Sequence, residues 1–212
     1  MPAYSVSDKA TKERNDLFFK ALGQFFYNYT NLEHQLTCLV RNVATTGITS
    51  THYLVVSATF GGMRMAMLKE TVKRLLRVSQ APKSHTAMAE RLFKHLGDIE
   101  FFRNRLAHHF TEPLTDQPDH QWRNSDYASV REGEAKEYVF DTGAVIYASA
   151  DLKEIALRAD GIFSHYQTDI GVPAFNATPP TWRYKREMLA LHRPKSSDSQ
   201  QPPPPPLAAS KE

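Results

Sequence analysis

The stretch 101–110, FFRNRLAHHF, places Arg103 and Asn104 side by side and follows them with His108 and His109, all among apolar residues. A guanidinium is permanently charged and offers paired donors to phosphate oxygens, whereas an imidazole titrates near neutrality and moves protons. The two together suit cleavage of a phosphodiester by its own 2′-hydroxyl, a reaction that needs a base, an acid and a cation for the developing charge, but no metal. RNA carries that hydroxyl and DNA does not. The plainer reading of the same letters is a solvated helix edge that ends in cations favoured at a helix C-terminus.

At about 100° per residue, Asn104 and His108 stand one turn apart on one helix face, while Arg103 and His108 diverge by about 140°. Arginine is long enough to swing over a helix edge, so both groups can border one groove, above all if a second copy faces the first across a twofold axis. Arg105 and His109 read as supporting or surface residues, with His109 able to share the proton-transfer role. Glu33 sits one turn from Tyr29 and Leu36 at the margin of an apolar stripe. A carboxylate there costs desolvation unless paired, which predicts a partner such as Arg103, Asn104 or a motif histidine, or else a side chain that snorkels to solvent.

Other chemistries find less support. His108, His109, Glu112 and His120 lack a recognised metal-ligand spacing, and adjacent histidines on a helix point apart, so no metal site is assigned. Asp116, Asp119 and Asp126 read as loop residues, and no Gly-rich phosphate loop, nucleophile elbow or Cys-x-x-Cys pair is present. The single cysteine, Cys38, reads as a small buried side chain.

The elements that must position the motif are helical. Phe18, Leu22, Phe25, Tyr29, Leu32, Leu36, Leu39 and Val43 alternate in steps of four and three, predicting a helix from near Ser7 or Asp8 to before the TTG at 45–47. A second helix is expected from about Thr51 to Val78, interrupted by Gly61 and Gly62, and a third, after Pro82, from about His85 to His109. TEPLTDQPDHQWRNSD, with two prolines and many turn formers, reads as a loop. DYASV, KEYVFD and AVIYAS read as short strands, and a fourth helix is expected from Asp151, whose pairing with Glu154 suits a capping box, to Gly171 and Pro173. Four amphipathic helices with modest connections predict an all-α antiparallel four-helix bundle over 1–172, with a small hairpin or meander inserted before the last helix.

The rest of the chain differs in kind. Residues 173–195 read as a basic, aromatic extension, within which Arg183, Lys185, Arg186, Arg193 and Lys195 face only Glu187 over 183–195, so that this stretch more than accounts for the whole chain's net +3. The near-neutral body argues against a broad nucleic-acid surface but leaves room for a local cationic cleft. In TWRYKREMLALHR aromatics alternate with cations, which suits an RNA-guiding arm carried by Arg183, Lys185 and Arg186; equally, Trp182, Tyr184 and Leu189 are able to dock this extension on the body. A short helix is possible around Trp182 to Leu191, and 196–212 reads as a disordered tail with polyproline II character at 202–206. The longest apolar run, YLVVSATFGGM, is cut by Arg64, and the N-terminus carries no signal-type stretch, so a cytoplasmic protein without a membrane span is expected.

RNRLAH, late in the third helix, resembles the Arg-x4-His signature of the HEPN family (higher eukaryotes and prokaryotes nucleotide-binding domains), in which Asn commonly follows the Arg. YTNLEHQL in the first helix, the glycine-interrupted second helix and a closing helix extend the resemblance over about residues 8–170. It implies a homodimer whose two motifs meet in one cleft, and in many members a metal-independent endoribonuclease without a cofactor, acting as a toxin or defence effector. Carried over, Arg103 binds the scissile phosphate, Asn104 orients the cleft and His108 is the general base or acid. A cognate antitoxin or regulatory protein is then an expected partner beside RNA. Some toxin members have a modifiable tyrosine two residues after the motif histidine; here that place is Phe110. Other members are not catalytic, which leaves a regulatory module that binds a nucleotide, RNA or a protein as the alternative.

Overall fold

The periodic stripe of the N-terminal region does form one long helix. In a computed structural model that describes residues 6–45, 63–78, 81–114, 121–126, 136–167 and 178–192, α1 spans Val6–Thr45. Phe18, Phe25, Tyr29, Leu32, Leu36 and Leu39 are all buried along it, each large apolar side chain contributing roughly 1.5–3 kcal/mol of transfer free energy. Helix α2 is Met65–Val78, with Met65, Leu68, Val72 and Leu76 turned inward. The expected start of that helix, with Gly61 and Gly62, lies outside the described residues.

Helix α3 spans Lys83–His108. It starts at Pro82, whose carbonyl accepts the N–H groups of His85 and Thr86. It ends because His109 turns extended, at φ −123° and ψ 148°, and strand β1 begins with the next residue.

The chain is not an all-α four-helix bundle with a hairpin inserted in it. Four antiparallel strands, β1 (Phe110–Pro113), β2 (Gln121–Asp126), β3 (Lys136–Asp141) and β4 (Ala190–His192), form one sheet in the order β1-β2-β3-β4. Half of this sheet comes from sequence expected to be loop. β1 is an edge strand, so Pro113 at its end removes no needed ladder bond. β2 is anchored by Trp122, only 2% exposed, which stacks on Phe18 of α1 at 3.6 Å and donates its indole N–H to the Thr142 hydroxyl at 3.1 Å. That anchoring across the fold outweighs the turn-forming composition. Residues 127–130 of the expected strand DYASV lie outside the described residues.

AVIYAS is helix rather than strand. Helix α4 spans Thr142–Gln167, and Ala144, Val145, Ala148, Leu152, Ile155, Ala159 and Ile162 bury one helical stripe, mainly against α1. Burial of that stripe overrides the strand preference of Val145, Ile146 and Tyr147. The helix is capped by Asp141, the last residue of β3, whose Oδ1 accepts the Ala144 N–H at 2.7 Å. Asp151, expected as the cap, lies inside the helix and is 3% exposed. Between α1 and α4, Asn28 donates to Ser149 Oγ at 2.8 Å.

The C-terminal extension is part of this body over its described residues. It carries a short 3-10 turn at Arg186–Met188, not the helix expected around 182–191, and then β4, which pairs Leu191 with Tyr138 of β3. Tyr184 is fully buried and stacks on Phe102 of α3 at 5.3 Å. The proline-rich tail lies outside the described residues. Among those described, no helix is long and apolar enough to cross a membrane.

Candidate functional site

The last turns of α3 carry the polar motif outward while Ile99 and Phe102 hold the helix to the core. Arg103 sits half-buried at the α1 side, its guanidinium carbon 5.2 Å from the centre of the Tyr29 ring. From there one terminal nitrogen reaches over the helix edge and donates to Asn104 Oδ1 at 3.1 Å. Its Nε is buried without a hydrogen-bond partner among the described residues. Part of the cation's hydrogen-bonding capacity is therefore unused, in surroundings that strengthen its attraction for an anion.

Tyr29 itself is a buried phenol beside this cation. Burial pushes its ionisation well above the ordinary tyrosine range; the carboxylates of Glu100 and Glu33 push the same way, and Arg103 opposes them. Glu100 is paired with Lys69 of α2. Glu33 is half-buried, and among the described residues its carboxylate makes no hydrogen bond or ion pair with Arg103, Asn104 or His108. Its link to the motif is the field it shares with Arg103 on Tyr29.

His108, the last residue of α3, is exposed, as is Asn104 one turn before it. His109 leaves the helix, half-buried, with its backbone N–H on the Arg105 carbonyl at 3.1 Å. Arg105 lies over the rings of Tyr138, at 4.4 Å, and Phe101, at 5.5 Å, and so ties α3 to β3. Among the described residues no three of His, Cys, Asp and Glu converge as a metal cluster; His120 lies outside them. Cys38 is half-buried rather than core, its sulfur 3.5 Å from His34 Nε2 and 3.6 Å from an Arg41 nitrogen.

One group that sequence reasoning passed over holds this end of the molecule, and a buried pair holds α3 farther back. Asn124 of β2, fully buried, donates its amide to the carbonyls of Arg105 at 3.1 Å and His109 at 3.4 Å, and to Thr111 Oγ1 at 2.9 Å. It adds a second donor to the Arg105 carbonyl, which already takes the His109 N–H, and one to the His109 carbonyl just past the helix end, and so fixes the turn that carries His108. Nothing local marks Asn124, since only the pairing of β2 with β1 brings it there. The buried pair is His95 and Asp151, at 2.8 Å, a role the capping-box reading of Asp151 did not foresee. Asp151 also accepts the backbone N–H groups of Arg183, at 3.0 Å, and Tyr184, at 2.9 Å.

Of the extension's cations, Arg186 is thereby placed on the opposite flank of α3 from Arg103. Arg183, Lys185 and Arg186 are exposed. Arg186 lies over Phe101 at 4.3 Å and 3.9 Å from Asp98. Phe101 and His108 are seven residues apart and share a helical stripe, whereas Phe101 and Arg103 diverge by about 160°. Arg103 and Asn104 are brought together with His108 close by, and of the extension cations Arg186 is the one the contacts place, on the His108 side. Compared with the models of protein families, with curated proteins and with solved structures, the chain matches none.

Proposed function

We propose that the chain is a metal-independent endoribonuclease of the HEPN type, cutting RNA in a cleft that two copies build together. The observation that carries this reading is Arg103 reaching over the edge of α3 to Asn104, with part of its donor set unused, one turn from an exposed His108. Arg103 and His108 of one chain diverge by about 140° around the helix, so a phosphate held by one copy's Arg103 is better met by the imidazole of a second copy.

In that cleft one His108 takes the proton of the 2′-hydroxyl as its oxygen attacks phosphorus. The bond from phosphorus to the 5′-oxygen breaks, and the leaving oxygen takes a proton from the other His108. The products are a 2′,3′-cyclic phosphate and a 5′-hydroxyl. Arg103 offsets the charge that builds on the phosphorus oxygens, Asn104 holds the guanidinium at the helix edge, and His109 supports the turn. Such an enzyme endangers its own cell's RNA, which fits a cytoplasmic toxin or defence effector restrained by a cognate antitoxin or regulatory protein.

The same divergence of Arg103 and His108 favours, for a lone copy, a non-catalytic role as a nucleotide-, RNA- or protein-binding regulator. Incubation of the purified chain with RNA in EDTA separates the two. Cyclic phosphate ends that disappear in Arg103→Ala and His108→Ala, with the dimer intact, establish the nuclease. Tight binding without cleavage under any condition establishes the regulator, and activity abolished by EDTA refutes both forms of the reading.

A further inference from the structure

A cleft of about 310 Å³ opens between α3 and the C-terminal segment. Arg91, Lys94 and Asp98 line it from α3, and Pro179, Pro180 and Trp182 from the segment. We infer that this cleft is a subsite for single-stranded RNA, seating one base against Trp182 and the prolines and a neighbouring phosphate on Arg91 and Lys94.

Three features carry the assignment. The indole is a fixed platform, because it stacks on His95 at 4.1 Å and 11° and His95 is in turn held by buried Asp151. Two prolines beside it have φ set by their rings, so little freedom is lost when a ligand packs there. Arg91 and Lys94 are exposed, and neither makes an ion pair among the described residues. An aromatic platform rimmed by uncommitted cations is the pairing that single-stranded nucleic acid uses, one stacking a base and the other tracking the backbone. Asp98, partly engaged by Arg186 at 3.9 Å, is the acceptor available to a base amine or a ribose hydroxyl.

The cleft also points along a path. Lys94, Asp98, Phe101, Arg105 and His108 fall within about 40° of one line along α3, and Lys94 to His108 is about 20 Å of helix axis. A strand seated at Trp182 runs over Arg186 toward His108, a span of several nucleotides. That continuation rests on the ribonuclease reading; occupancy of the cleft does not.

The test uses the full chain and a short fluorescein-labelled oligouridylate whose 2′-hydroxyls are methylated, so that it binds without being cut. Anisotropy gives the affinity and its salt dependence. Quenching of tryptophan emission reports the cleft, because the chain has two tryptophans and Trp122 is buried under Phe18. The expected result is quenching on binding, lost in Trp182→Phe. The surface double variant Arg91→Gln with Lys94→Gln binds about tenfold or more weakly, and its salt slope is shallower by about 0.7 for each phosphate contact removed. Wild-type affinity in that folded double variant, or no binding by the parent chain, overturns the subsite and leaves cleavage to be judged separately. Binding with quenching but no cleavage of unmethylated RNA upholds the subsite and rejects the nuclease. Equal displacement by a polyglutamate of matched charge overturns the assignment to RNA.

Discussion

Replacing Asp151 by alanine tests whether one carboxylate holds the C-terminal segment to the helices. Asp151 is 3% exposed, so its bonds are hardly screened. It takes one donor from His95 at 2.8 Å and two from the backbone of Arg183 and Tyr184 at 3.0 and 2.9 Å. Alanine leaves these buried donors without an acceptor. Each costs about 1–3 kcal/mol. The losses share a network and do not add, so about 3–5 kcal/mol is expected, a large part of the roughly 5–15 kcal/mol of a typical domain. In urea this moves the midpoint by more than about 1 M. The segment should also come loose, since the two backbone bonds sit beside Tyr184, and trypsin should then cut at Arg183, Lys185 or Arg186 under conditions where the parent resists. Asp151→Asn, which keeps one acceptor oxygen, should fall between. A loss under about 1 kcal/mol with unchanged tryptic resistance would show that the stacking of Tyr184 and Trp182 holds the segment unaided.

Other expectations follow from the same geometry. Among the described residues the buried hydroxyl of Tyr184 has no partner, so Tyr184→Phe should cost nothing or stabilise by up to about 1 kcal/mol in urea melts; a clear loss of stability would reveal an acceptor. Burial first, then neighbouring carboxylates, hold the hydroxyls of Tyr29 and Tyr184 protonated above the ordinary tyrosine value of 10.0. The native state thus keeps protons that the unfolded chain loses, so their contribution is full below about pH 10 and fades as pH rises beyond it. Urea midpoints across alkaline pH should show this fall, and Tyr29→Phe with Tyr184→Phe should flatten it. Asn124→Ala removes the buried amide's bonds to the Arg105 and His109 carbonyls and to Thr111 and should cost about 1–3 kcal/mol; if the enzyme reading holds, cleavage per folded molecule drops as well. Asp141→Ala removes the cap of α4 at a cost of about 1 kcal/mol in thermal or urea unfolding, whereas a comparable change at Asp151 should cost several times more.

The sequence by itself determined α1 and α3 and the placement of the motif. Their apolar residues recur at the helical period, and that signal is local, because each helical hydrogen bond closes within four residues. From it alone Asn104 and His108 share a face and Arg103 lies round the edge, and the tertiary structure adds the guanidinium's reach to Asn104. The tertiary structure decided the rest. FTEP and QWRNSD have the composition of loops, and they are strands because Trp122 finds Phe18, far away in the chain. AVIYAS has the composition of a strand, and it is helix because its stripe is buried against α1. Asp151 fits a capping box, yet it is buried mid-helix because His95 and the Arg183 and Tyr184 amides converge there. The physical reason is common to all three: strand pairing, helix-face burial and the pairing of a buried charge draw their free energy from partners distant in sequence, which no short window of residues contains.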